Sequence, residues 1–258
     1  MVDIHCHPLP DTDDGARTFE DAVQMCRMAG DDGITHLVAT PHCDYKYTFR
    51  PEANEEKVRE LQRAVGDKPQ LLLGCDFHLS YDNIQMIISD RDGFTINKTR
   101  YLLVELDDHF IPENMNQVFY DLQVANLLPI LTHPERNPVF QRRPEIVYEW
   151  VGRGCLVQLT AKSYTGGFGR TAQRLCEMWL DRNLVHFFAS DAHDTKYRPP
   201  LLSVCYERLA AVKGEAEAER IMRRNPEAVI QGQPLPPFPQ PLAAKTPKRS
   251  WFSFLRRS

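Results

Sequence analysis

The chain has 258 residues, of which 42% are hydrophobic and 26% charged, with a formal net charge of −4. These values fit a soluble globular protein of one large or two small domains, with no basic excess to favour nucleic acid. No apolar run approaches the ~18 residues of a membrane span. MVDIHCH lacks the basic region and apolar core of a secretory signal, so a cytoplasmic location is expected. The seven cysteines are odd in number and contain no C-x-x-C pair, which argues against a disulfide framework or a structural zinc knuckle.

In chain order, VDIH reads as a short strand that stops at histidines. TFEDAVQMCRMAGDDG follows as a helix, with Thr18 as N-cap and apolar positions at 22, 25, 26 and 29. ITHLVATPH (34–42) is a buried strand, PEANEEKVRELQRAV (51–65) a charged helix opened by Pro51, and QLLLGCD (70–76) a strand. Residues 83–96 are helical in part. RYLLVEL (100–106), LPILTH (128–133), CLVQLTA (155–161) and LVHFFASDAH (184–193) are strands. Helices at 112–127, 144–154 and 170–183 separate them, and further helices end the fold.

Continuous apolar strands alternate with amphipathic helices about seven times, which predicts a parallel sheet covered on both faces. The expected fold is α/β, a distorted (β/α)7-type barrel in a single domain over residues 1–230, with a doubly wound sheet as the alternative. Residues 231–258 change character. GQPLPPFPQPL is proline-rich, and AAKTPKRSWFSFLRRS is basic and aromatic. This composition suggests a disordered tail. A second expectation is that it touches an anionic membrane surface through Trp251, Phe252, Phe254 and Leu255 with Lys245, Lys248, Arg249, Arg256 and Arg257, making the protein membrane-peripheral.

In a β/α barrel the active site lies at the C-terminal strand ends. Strand one ends in His5 and His7, strand two in His42, and strand three in Asp76. RYLLVEL carries Glu105, LPILTH ends in His133, and the last strand ends in Asp191 and His193. Asp14 joins from the first loop. Residues i and i+2 of a strand share a side, so His5 with His7, and Asp191 with His193, can each serve one ion. Five histidines and four carboxylates suffice for two or three catalytic ions with open positions. Mixed imidazole and carboxylate ligation suits Mn, Fe or Zn. His36 and His186 lie inside apolar strands and read as packing residues. His78 and His109 lie near the mouth. Cys176 and Arg182 have the C-x5-R spacing of cysteine phosphatases, but the intervening EMWLD is an amphipathic helix, not a phosphate loop.

Taken in order, HxH (5–7), DTDDG (11–15), TPH (40–42), GCD (74–76), Glu105, THPER (132–136), SDAH (190–193) and RPP (198–200) resemble the PHP (polymerase and histidinol phosphatase) superfamily. DIHCHPLPDTDDG is most similar to its bacterial capsule- and exopolysaccharide-associated, manganese-dependent protein-tyrosine phosphatases. The resemblance implies up to three Mn²⁺ ions. His5, His7, Asp76 and Asp191 would hold the first. Asp76, Glu105 and His133 would hold the second, and Asp14, His42 and His193 the third. Arg136 and Arg198 would grip the phosphate. The bridging position, usually glutamate in that family, is Asp76 here, one methylene shorter.

The chemistry expected is in-line attack of a metal-bridging hydroxide on phosphorus. A tyrosyl leaving group of pKa ~10 needs little help from an acid, for which Asp194 and His109 are candidates. The expected partner is a phosphotyrosine protein, a cognate bacterial tyrosine kinase in particular, and no nucleic acid. The sequence sets no oligomeric state. The rival readings are a PHP phosphatase on a small phosphomonoester such as histidinol phosphate, and a non-catalytic metal-bound docking module. A PHP exonuclease is disfavoured by the acidic balance.

Overall fold

The protein was analysed as a computed structural model, which describes residues 1–79 and 83–242. The strands among them are β1 (Val2–Cys6), β2 (His36–Ala39), β3 (His42–Cys43), β4 (Gln70–Leu73), β5 (Asp76–His78), β6 (Tyr101–Glu105), β7 (Leu128–Thr132), β8 (Leu156–Thr160) and β9 (Phe187–Ala189). Every paired ladder is parallel. One sheet has the order β1-β2-β4 and the other β3-β5-β6-β7-β8-β9.

The two predicted strands at 34–42 and 70–76 are each broken in the middle. Pro41 has no N–H to give and separates β2 from β3. Gly74 and Cys75 separate β4 from β5, although Gly74 N–H still reaches the Ala39 carbonyl at 2.8 Å. Counting each broken pair as one position gives seven strand positions in ring order. A bridge between Cys6 and Ala192 then joins the last position to the first. Asp191 N–H donates to the His5 carbonyl and His7 N–H to the Ala192 carbonyl, both at 2.9 Å. The architecture is the distorted seven-position β/α barrel that the strand pattern predicted.

Local sequence explains the covering helices. The helix Phe19–Asp31 is capped by Thr18, whose hydroxyl accepts from Asp21 N–H, and it buries Ala22, Met25, Cys26 and Ala29. The helix Pro51–Val65 has proline in its first turn and buries Val58 and Leu61. Its Lys57 reaches back to the carbonyls of Pro10 and Asp11 and the hydroxyl of Thr12, so it fastens the acidic loop to the barrel rim. Cys176 is buried on the inner face of the helix Gly169–Asp181, which confirms the C-x5-R spacing as accidental.

The expected strand 184–193 shortens to Phe187–Ala189, and beyond it Asp191 takes left-handed backbone while Ala192 bridges to Cys6. Residues 231–242, where the sequence suggests that a disordered tail begins, make specific contacts instead. Tyr101 donates its hydroxyl to the Gln233 carbonyl, Phe238 packs edge-on against His186, and Leu242 N–H donates to the Arg182 carbonyl. The basic aromatic segment proposed to meet a membrane lies outside the described residues. Among the described residues no helix is long and apolar enough to cross a membrane.

Candidate metal centre

Strand alternation builds the site from below. On β6, Tyr101 and Leu103 belong to the inner apolar cluster, and Glu105, two residues on, emerges at the mouth. Phe187, Ala189 and Asp191 repeat the pattern on and just after the last strand, β9. On β1 the register slips between Asp3 and Cys6, so Ile4 stays in the inner cluster while His5 and His7 also face the centre. Asp3 secures this bulge. Its buried carboxylate accepts from the N–H groups of His5 and Ser190.

The nine ligand residues expected from sequence converge. His5 Nε2 lies 3.1 Å from His7 Nε2, 3.4 Å from Asp76 Oδ2 and 3.6 Å from Asp191 Oδ1. His42 spans two parts of the cluster, with Nε2 3.4 Å from Asp14 Oδ1, and Nδ1 3.2 Å from Asp76 Oδ2 and 3.4 Å from Glu105 Oε2. His193 Nε2 is 3.4 Å from Asp14 Oδ1, and His133 Nε2 is 3.5 Å from Glu105 Oε1. Four groups have ligand atoms close enough to share an ion: His7–Asp14–His42–His193, His5–His7–Asp76, His5–His133–Asp191 and His42–Asp76–Glu105. His7 falls in two of them.

The site fits cations on its own chemistry. Asp76 is fully buried, and neither carboxylate oxygen has a hydrogen-bond partner among the described residues. Leaving a charged group so exposed to the protein interior is costly unless a cation meets it. Burial would raise Asp76 and Asp191, but His5 and His42 around the first, and Arg136 and His5 around the second, hold both well below the ordinary range. Glu105 is held at about 2, with burial and Asp76 opposed by His42, His78 and His133. Burial pushes His5 down, yet Asp76 and Asp191 outweigh it and raise the ring to about 9. The cluster therefore draws in positive charge. His133 and His193 are lowered to about 4, first by burial and then by Arg136 and His7 respectively. As neutral rings they are ready ligands.

Side chains one layer out aim the ligands, and these were missed from sequence. His7 Nδ1 donates to Asp13 Oδ2 at 2.7 Å, which leaves the Nε2 lone pair for an ion. The same Asp13 carboxylate accepts from His42 N–H and Gly15 N–H. His5 Nδ1 meets Gln158 Oε1 at 2.9 Å, which turns Nε2 inward. Gln158 could have been noticed as the one polar side chain amid CLVQL. Asp13 is visible as an acid in DTDDG, but its partner is not. Gly15 packs on His7 itself: a Cβ there would lie 2.1 Å from the His7 carbonyl oxygen. Two ligands sit in left-handed backbone, His133 at φ 32° and Asp191 at φ 51°, strain of the kind found at working sites.

Arg136 and Arg198 both reach the site and meet on a single atom. Arg136 Nη1 and Arg198 Nη2 donate to Asp191 Oδ2, the latter at 2.7 Å, while Asp191 Oδ1 faces the histidines. Asp194 is bonded into its own loop. Its Oδ1 accepts from the N–H groups of Lys196, Tyr197 and Arg198, and these bonds outweigh burial to hold its carboxyl below the usual range. These three bonds shape the loop that carries Arg198. His109 is exposed on the loop after β6, with its N–H on Asp107.

Fold and site together define a class, a β/α barrel with several ions' worth of ligands at its mouth and two arginines beside them. The chain belongs to the CpsB/CapC family of capsular polysaccharide synthesis, which it matches over residues 1–231. The CapC protein of Staphylococcus aureus is 36% identical over 224 residues, covering 84% of this chain and 88% of CapC. The tyrosine-protein phosphatase YwqE of Bacillus subtilis is 36% identical over 202 residues, 77% of this chain and 79% of YwqE. A solved structure from work on YwqE and Streptococcus pneumoniae CpsB, described as unique metal-dependent tyrosine phosphatases, superposes with a TM-score of 0.89. It is 31% identical and covers 95% of this chain and 100% of its own.

Proposed function

We propose that the chain is a metal-dependent protein-tyrosine phosphatase. The observation that carries this reading is the convergence of His5, His7, Asp14, His42, Asp76, Glu105, His133, Asp191 and His193 at one barrel mouth, in a chain of the CpsB/CapC family. By motif position His5, His7, Asp76 and Asp191 would hold one ion, Asp76, Glu105 and His133 a second, and Asp14, His42 and His193 a third, while the ligand atoms also bring His133 to His5 and Asp191, and His42 to Asp76 and Glu105. Mn²⁺ suits this mixture of imidazole and carboxylate, with Fe and Zn as alternatives. Divalent ions bound there supply hydroxide at neutral pH and neutralise the phosphoryl charge.

The chain's own residues do the rest. Asp13 and Gln158 fix the ring orientations of His7 and His5. Arg136 and Arg198 bind the phosphoryl oxygens as charge develops on them. Tyrosinate leaves without a dedicated acid because its pKa is only ~10. The natural substrate is a tyrosine kinase of the capsule or exopolysaccharide machinery, met at the cytoplasmic face of the membrane.

The test compares turnover of a phosphotyrosine peptide with turnover of histidinol phosphate, each with and without Mn²⁺. Mn²⁺-dependent preference for the peptide is expected. Faster hydrolysis of histidinol phosphate would replace the reading with that of a metabolite phosphatase. A metal count on the purified protein measures the number of ions.

A further inference from the structure

We propose that Phe168 is a positioning residue that holds Arg136 and Arg198 together as one phosphate clamp, a proposal that rests on the phosphatase reading above. The Cζ of Arg136 lies 4.7 Å from the centre of the Phe168 ring and that of Arg198 lies 6.0 Å from it. Lys162 Nζ lies 5.4 Å from the same centre. Three cations thus gather around one phenyl group, whose negative faces attract them.

The arrangement answers an electrostatic problem. Arg136 and Arg198 share Asp191 Oδ2, and two guanidinium groups on one oxygen repel each other. A second carboxylate beside them would relieve the repulsion but would also repel a phosphoryl dianion. An aromatic ring offsets the repulsion without adding negative charge. It also leaves guanidinium donors free, and Arg198 Nε is buried with no hydrogen-bond partner among the described residues.

The backbone delivers the ring to this place. Residues 165–169 read TGGFG, and Gly166 and Gly169 have φ of +95° and +87°, which glycine adopts freely. Gly167 N–H donates to the Lys162 carbonyl at 2.8 Å and Gly169 N–H to the Gly166 carbonyl at 3.1 Å, closing the loop on itself. Lys162 Nζ bonds the Tyr197 carbonyl, so the loop is tied to the segment that carries Arg198. Phe168 and Arg198 together line a cavity of about 330 Å³.

The experiment uses the full chain loaded with Mn²⁺ and three variants, Phe168→Leu, Phe168→Met and Phe168→Tyr. Inorganic phosphate affinity is measured by calorimetry, and KM and kcat on para-nitrophenyl phosphate. Phe168→Leu and Phe168→Met should weaken phosphate binding roughly three- to tenfold, as loss of a partly exposed cation–π contact implies. KM should rise in parallel, with metal content and Tm unchanged. Phe168→Tyr keeps the ring face and should restore both readings. In an Arg198→Lys background the effect of Phe168→Leu should shrink, because the ring acts through the guanidinium. Should Phe168→Leu not fold, Phe168→Met carries the same comparison. Unchanged phosphate affinity in the ringless variants, or equal loss in Phe168→Tyr, would overturn the proposal. A wild type that binds phosphate through Phe168 but turns over no phosphotyrosine peptide would reject the phosphatase reading and keep the clamp.

Discussion

The two ends of the barrel interior are built on the same strands and have opposite chemistry. At the N-terminal end, Val2, Ile4, Val38, Tyr101, Leu103, Ile130, Leu156 and Phe187 form a dry plug, sealed by Val229 and Ile230. At the C-terminal end, the next inward position is polar on most of those strands, and on two of them it is a carboxylate of the cluster. Leu103 gives way to Glu105, and Ala189 to Asp191. A single step of two residues, about 7 Å, separates apolar core from ligand cluster. The difference teaches that alternation decides which side chains point inward, while position along the strand decides what inward means. One end is capped by helix and the other opens to substrate.

The largest expected effect distinguishes the ends directly. His5→Ala or Asp191→Ala should lower phosphotyrosine-peptide turnover on the order of a thousandfold or more, since each removes an ion's ligand at the reacting centre. The fold should persist, as checked by circular dichroism, and retained turnover would contradict the metal assignment. Leu103→Ala, two residues below Glu105, should do the reverse. It should cost about 2–5 kcal/mol in denaturant unfolding and leave kcat of the folded fraction near that of the wild type. A large kcat loss there would mean that plug and site are not separable.

Asp13→Asn sharpens the boundary, because Asp13 belongs to none of the four ligand groups and reaches the site through His7. Loss of its charged bond to His7 should weaken metal affinity about 10- to 100-fold, measured by metal titration. Unchanged affinity would leave Asp13 as a loop residue only.

The smallest effect concerns pH. His186, beside the plug, accepts Val157 N–H on Nδ1, and burial followed by Arg220 lowers its pKa from 6.5 to about 3. Above pH 6.5 the ring is neutral whether the chain is folded or unfolded, and its stabilisation is complete. Between 6.5 and 3 only the unfolded chain takes up the proton, so stability falls as pH falls, by up to about 1.4 kcal/mol per pH unit. His186→Gln should flatten this acid limb in urea titrations at pH 6 and pH 5. An equally steep limb would assign it to other groups.

Much of this molecule was legible in the sequence because periodicity is local. Ala22, Met25, Cys26 and Ala29 mark one helix face, Thr18 its start, and continuous apolar runs the buried strands. The rule that ligands sit at strand ends then named His42, Glu105 and Asp191 although they are far apart in the chain. Sequence alone left several things undecided. That Asp13 serves His7 and His42, that Gln158 turns His5, and that Asp194 organises a loop all depend on which backbone N–H or ring nitrogen lies within about 3 Å. Phe168 had no signal at all, because a glycine-rich loop has no period and its partners, Arg136 and Arg198, come from two other loops. The sequence determined which residues could form a metal centre, since residue type and strand parity fix chemistry and side. Only the tertiary structure decided how they meet, since closing the ring between Cys6 and Ala192 is what brings His5 and His7 to Asp191.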